Sequence, residues 1–156
     1  MTPVLLSIDI DGVLHGSDAH FALANVRATS PQELHAAGLF AHRALLADVL
    51  AEHPYAKLVC HSSWRRDHDL GRLRALLGPA GERLLAVAPL RFEREKGVEA
   101  LMTRWRMRRE RVVIIDDMGQ LFARLRDRVV VCQASVGLPS AVDELHEALR
   151  RAHAAH

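Results

Sequence analysis

Asp9 and Asp11 stand two apart in the run Asp9-Ile10-Asp11-Gly12-Val13-Leu14, directly after an apolar stretch. In an extended chain residues i and i+2 point to the same side, so both carboxyls can serve one site. Three further segments carry reactive types: Ser62-Ser63-Trp64-Arg65, Arg94-Glu95-Lys96-Gly97, and Asp116-Asp117 at the end of another apolar run. Each has a plain structural alternative. Asp-x-Asp-Gly forms turns, and as half of a calcium loop it would suit neither Val13-Leu14 nor the strand before it. A Ser-Ser pair or an Asp-Asp pair after a strand caps the next helix, and a lone lysine is most often solvated. Taken together they imply more. Acids at the ends of two different strands repel unless a cation lies between them. Oxygen-only ligands point to a hard ion, Mg²⁺.

The elements that would position these groups alternate along the chain. Val4 to Asp9 reads as a buried strand. Leu39 to His53 carries apolar residues at helical spacing and stops at Pro54. Ala56 to Ser62 is a second strand, Asp67 to Leu77 a helix closed by Gly78-Pro79, and Arg83 to Ala88 a third strand. Glu93 to Met107 is a long basic helix. Val112 to Asp116 is the fourth strand, Val129 to Gln133 the fifth, and Pro139 to about Ala152 a closing helix. Strands separated by helices of this length imply crossovers and a parallel sheet, in which ligands bind beyond the carboxyl ends of the strands. Gly12 to Gly38 breaks the rhythm. Only Ser30-Pro31-Gln32-Glu33 has the form of a helix start there, and a connection that long is usually functional or mobile.

The composition fits one domain over residues 1–156. Of the 156 residues 49% are hydrophobic and only 4% aromatic, so the core must be aliphatic. A charged share of 26% excludes a wholly disordered chain. The net charge of +2 is too mild to announce a nucleic-acid footprint, and the ten histidines fall into no zinc spacing. Cys60 and Cys132 sit in apolar runs and read as buried, reduced thiols, which implies a cytoplasmic location. No apolar run approaches the roughly 18–20 residues that cross a bilayer, and the N-terminus lacks the flank and cleavage site of a signal peptide.

The order of these motifs resembles the haloacid dehalogenase (HAD) superfamily: DxDGVL after the first strand, Ser/Thr after a second, a lysine, then Asp-Asp after a later strand. The resemblance spans Val4 to Asp117. Ser62-Ser63-Trp64-Arg65 and Val136-Gly137-Leu138 are similar to a small uncapped subgroup, the HAD domains of multidomain RNA-repair proteins. The fold it implies is a Rossmann-like three-layer α/β/α sandwich on a five-stranded parallel sheet of order 3-2-1-4-5, without a full cap domain. The activity it implies is Mg²⁺-dependent hydrolysis of phosphate monoesters through an aspartyl-phosphate.

By this resemblance Asp9 is the nucleophile and Asp11 the general acid and base. Ser62 donates hydrogen bonds to the phosphoryl oxygens, or Ser63 if the strand ends one residue later. Lys96 neutralises the charge shared by Asp9 and the phosphoryl group. Mg²⁺ is held by Asp9, by the main-chain carbonyl of Asp11 and by Asp116 or Asp117, with Asp117 the better direct ligand and Asp116 either behind the direct ligands or a partner for Lys96. Arg65 either contacts substrate or lies on the surface.

Residues 12–38 are too few for a full cap and leave room for a flap or minimal cap insertion. An open site suits a phosphorylated nucleic-acid end or protein, or a small phosphate if an oligomer supplies the lid. The basic stretch Arg104 to Arg111 is read first as a solvated helix end. The competing reading is a phosphate-binding or interaction module on the same fold without turnover. A phospho-relay receiver is disfavoured because the third strand ends in Ala88-Pro89-Leu90, without an acid. A dehalogenase is disfavoured because it has no need of Asp11.

Overall fold

A computed structural model describes residues 2–19, 26 and 29–156. Five strands, β1 (Val4–Ile8), β2 (Ala56–Cys60), β3 (Leu84–Val87), β4 (Val112–Asp116) and β5 (Val129–Val131), form one sheet in the order β3-β2-β1-β4-β5. All neighbouring pairs are parallel. The helices are α1 (Pro31–Ala36), α2 (Arg43–Glu52), α3 (Leu70–Leu77), α4 (Arg94–Arg104) and α5 (Val142–Ala154). The strand order and parallel sense match the expected sandwich. β4 has the expected bounds, the other four strands end one or two residues earlier than their apolar runs, and α4 stops at Arg104 rather than Met107.

Alternation along the strands sorts the core into two layers. Val4, Leu6 and Ile8 of β1, with Leu58, Cys60, Val113 and Ile115, pack against α2, α3 and α5 through Leu46, Leu50, Leu73, Leu76, Leu145 and Leu149. Leu5, Val59, Val112 and Ile114 face the other way, onto Val98 and Leu101 of α4 and onto Phe122 and Leu125. Gly97 lets α4 approach the chain after β3, since a Cβ there would meet the Ala88 methyl at 2.9 Å.

The Ser30 start signal holds: its hydroxyl accepts from the Glu33 N–H at the head of α1. Of the expected flap over 12–38, residues 20–25, 27 and 28 lie outside the described residues. The basic stretch Arg104 to Arg111 lies just before β4, at the sheet edge opposite the carboxyl end of that strand. Arg104 lies over the Trp105 ring, Arg109 pairs with Asp127, and buried Arg111 bonds main-chain carbonyls at the end of α5. Cys60 and Cys132 are buried and free. Among the described residues, no helix is long and apolar enough to cross a membrane.

Candidate active site

The sheet register assembles the site. Ile8 pairs with Cys60 on one side and Ile115 on the other. One residue further on, the Asp9 N–H donates to the Ile115 carbonyl and the His61 N–H to the Ile8 carbonyl. Asp9, His61 and Asp116 thus stand abreast on three adjacent chains, with one ligand atom of each within 4.8 Å of the others. They continue the Leu5, Val59 and Ile114 rows, so all three face α4. Arg94, the first residue of α4, closes the group: its Nη1 lies 2.7 Å from Asp9 Oδ2 and 2.8 Å from Asp116 Oδ2.

These carboxylates are in unequal states. Asp116 is fully buried and well held. Its Oδ2 accepts from His61 Nε2 and Arg94 Nη1, each at 2.8 Å, and its Oδ1 accepts from the Met118 N–H at 2.8 Å. Burial pushes its pKa up, but the His61 hydrogen bond and the His61 and Arg94 charges outweigh that and leave it below the ordinary carboxylate range. His61 is oriented in turn by Ser7, whose Oγ lies 2.8 Å from its Nδ1. Asp9 is 1% exposed, and among the described residues neither carboxylate oxygen has a well-directed hydrogen bond, although Oδ2 forms the Arg94 ion pair. Burial, then the Asp116 charge, push its pKa up against the opposing pull of Arg94 and His61. Arg94 stays protonated: burial opposes its charge, but Asp9 and Asp116 more than compensate.

Asp11 has a separate support. His15 Nδ1 accepts from the Phe40 N–H at 3.0 Å. That leaves the His15 hydrogen on Nε2, which donates to Asp11 Oδ1 at 2.7 Å. Trp64 Nε1–H donates to Asp11 Oδ2 at 3.1 Å. Phe40 holds a φ of +57° to aim its N–H, a conformation that costs a non-glycine residue about 1–3 kcal/mol. Phe40 and Trp64 meet edge to face at 5.1 Å and wall in the His15 ring.

Asp117 closes the rim from the β4 side. Gly12, at φ +76°, passes so close that a Cβ there would lie 2.5 Å from the Asp117 carboxylate. Burial, then the Asp9 and Asp116 charges, push the Asp117 carboxyl up to about 7. A buried Asp9 without well-directed hydrogen bonds beside a charge-stressed Asp117 is an oxygen-only donor set that fits a hard divalent cation. The third nearby acid, Asp116, already has both oxygens engaged.

The family model described as "HAD domain in Swiss Army Knife RNA repair proteins" matches residues 5–142. The chain belongs to this family. Comparisons with curated proteins and with solved structures returned no match. The HAD domain accounts for the Rossmann-like architecture and makes a hydrolase the general class.

The HAD domain does not bring Lys96 to its site. Lys96 is exposed, and no hydrogen bond or ion pair reaches it among the described residues. Residues two apart on a helix point roughly 200° apart, so a helix that turns Arg94 onto Asp9 turns Lys96 outward. Arg94 holds the position expected of Lys96, including the partnership with Asp116. Arg65 meets neither expectation. It is neither a surface residue nor free to bind substrate, because its guanidinium is buried and donates to the carbonyls of Ala88, His61, Ser62 and Phe92. It stitches the chain after β2 to the chain before α4. Ser62 is fully buried and its Oγ accepts from the Trp64 N–H, which leaves its own O–H to donate. Ser63 is exposed at the head of a 3-10 helix. His15, His61, Trp64 and Arg94 were not singled out from the sequence. Arg94 had a detectable signal, being the first basic residue of a helix that starts at the carboxyl edge.

Proposed function

We propose that this HAD domain, acting as one unit over residues 1–156, is a Mg²⁺-dependent phosphatase. It hydrolyses phosphate monoesters by way of a phosphoryl group carried on Asp9. The observation that carries the reading is Asp9 itself, a buried carboxylate that has no well-directed hydrogen bond among the described residues and faces a fixed guanidinium at 2.7 Å. Such a group is desolvated and aimed, as a nucleophile must be. Asp9, the Asp11 main-chain carbonyl and Asp117 would hold the ion, with Asp116 fixing Arg94 and His61 around it. Bound Mg²⁺ supplies positive charge that lets two anions meet.

An Asp9 oxygen attacks phosphorus, and the ester P–O bond breaks. Asp11 gives its proton to the leaving oxygen, held for this by His15 and Trp64. Arg94 neutralises the charge shared by Asp9 and the equatorial oxygens, and the Ser62 hydroxyl donates to one of those oxygens. Ser63 lies at the mouth, where it can meet substrate. Asp11 then takes a proton from water, the water oxygen attacks phosphorus, and the bond to Asp9 breaks. The family description favours a phosphorylated nucleic-acid end as substrate over a small metabolite.

A panel of nucleotides, sugar phosphates, phosphopeptides and 3′- or 5′-phosphorylated oligonucleotides, with and without EDTA, tests the reading. Release of phosphate that EDTA abolishes and Mg²⁺ restores is expected, with an oligonucleotide preferred. Phosphate binding without turnover anywhere in the panel would favour the interaction-module alternative. A hundredfold preference for one small phosphate only in an oligomer would mean that a neighbouring copy completes the site.

Stability carries a second expectation. Raised carboxyl pKa values at Asp9 and Asp117 favour the protonated folded state, so their contribution is present below the ordinary value near 3.8 and is lost as pH rises toward about 7. The Tm of the metal-free protein should therefore fall between about pH 5 and pH 8. Mg²⁺ should abolish that fall, because it binds the ionised carboxylates of the folded state alone. A Tm indifferent to Mg²⁺ at the upper end of this range would show that no such ion site is assembled.

A further inference from the structure

At the opposite edge of the sheet from Asp9, before β2 begins, two imidazoles face one another. His53 Nε2 and His146 Nδ1 are 2.8 Å apart although the residues are 93 positions apart in sequence. A Glu52 oxygen lies 3.8 Å from the same His146 nitrogen, and one ligand atom from each of the three falls within 4.8 Å of the others. Nothing in the proposed phosphatase chemistry uses this cluster. We propose that Glu52, His53 and His146 form a Zn²⁺ site joining the end of α2 to α5.

Two nitrogens and a carboxylate oxygen are the donors a borderline divalent cation selects, whereas Mg²⁺ prefers oxygen alone. The outer partner needed to present a lone pair is in place. His53 Nδ1 is 2.7 Å from the Tyr55 hydroxyl. With Nδ1–H donating there, Nε2 keeps its lone pair and accepts from His146 Nδ1–H at 2.8 Å; Zn²⁺ would take the place of that hydrogen, with His146 carrying its proton on Nε2 instead. His53 is buried, and His146 is 17% exposed in its side chain. Tyr55 is fixed in turn by stacking on His153 at 3.7 Å. Glu52 is largely exposed, which leaves a path for the ion and an open fourth position for water. Residues distant in sequence explain why no zinc spacing is visible among the histidines.

Calorimetric titration with Zn²⁺, in saturating Mg²⁺ to fill the acidic site, tests this. One Zn²⁺ per chain is expected, with a rise in Tm and, for Co²⁺, visible absorption of a nitrogen-liganded ion. Tyr55→Phe should weaken binding about 10–100-fold, as loss of an outer hydrogen bond to a metal-bound histidine does, and His146→Ala should weaken it further. Should His146→Ala lose its native circular dichroism, Glu52→Gln at the exposed ligand carries the same test. Zn²⁺ binding that neither ligand variant alters, or no stoichiometric binding by the parent protein, would overturn the site. Both outcomes are independent of whether Asp9 turns over phosphate.

Discussion

Asp9→Asn is expected to lower the hydrolysis of an aryl phosphate by at least about a thousandfold, since losing a covalent nucleophile removes a whole reaction step. Asparagine is isosteric with aspartate but cannot carry the phosphoryl group. The fold should not suffer, because Asp9 is a structural liability in the metal-free protein: it is buried, has no well-directed hydrogen bond among the described residues, and is repelled by Asp116. The metal-free Tm of Asp9→Asn should equal or exceed that of the parent. Measuring kcat and Tm on one preparation separates the two effects. Retention of more than about a tenth of the activity would remove Asp9 from the nucleophile role.

Arg94→Ala is the second large effect, and it discriminates between two basic residues of one helix. Arg94 is the cation that touches both Asp9 and Asp116, so its loss should cost about 10²–10³-fold in kcat, the range for removing one preorganised charge donor. Arg94→Lys should recover only part, because an ammonium lacks the planar fork that serves two carboxylates. Lys96→Ala should leave kcat within about twofold, as surface substitutions usually do. If Lys96→Ala proved the more damaging, the assignment of α4's orientation to the chemistry would be wrong.

The site is legible in the sequence as far as local rules extend. The period-2 placement of Asp9 and Asp11, the apolar runs and the strand–helix alternation are properties of short segments, and the strand order followed from the family resemblance. Lys96 was expected from the family's motif lysine, which hides Arg94. Choosing between them requires knowing which side of α4 faces the sheet, because residues two apart on a helix point roughly 200° apart. Arg65 was misread because its partners are main-chain carbonyls of two separate loops, which no pattern of side chains announces.

The histidines failed to register for a different reason. His61 meets Ser7 and Asp116 across 54 and 55 residues, and those contacts exist only once the register of β2, β1 and β4 is set. Within a strand run extended to Ser62, His61 passes as an interior residue. Ending β2 at Cys60 puts it at the rim instead. His15 is nearer, four residues from Asp11. Its role still depends on Phe40, whose left-handed backbone presents the N–H that fixes the tautomer.

The central claim is that Asp9 carries the phosphoryl group, and acid quenching of the protein during turnover of a phosphate monoester tests it most directly. Peptide mass spectrometry of the quenched protein should find one phosphoryl group on Asp9, removed by hydroxylamine as an acyl phosphate is, and absent from both Asp9→Asn and the EDTA-treated protein. Steady turnover with no phosphoryl group on Asp9, or with the group on another residue, would contradict the account.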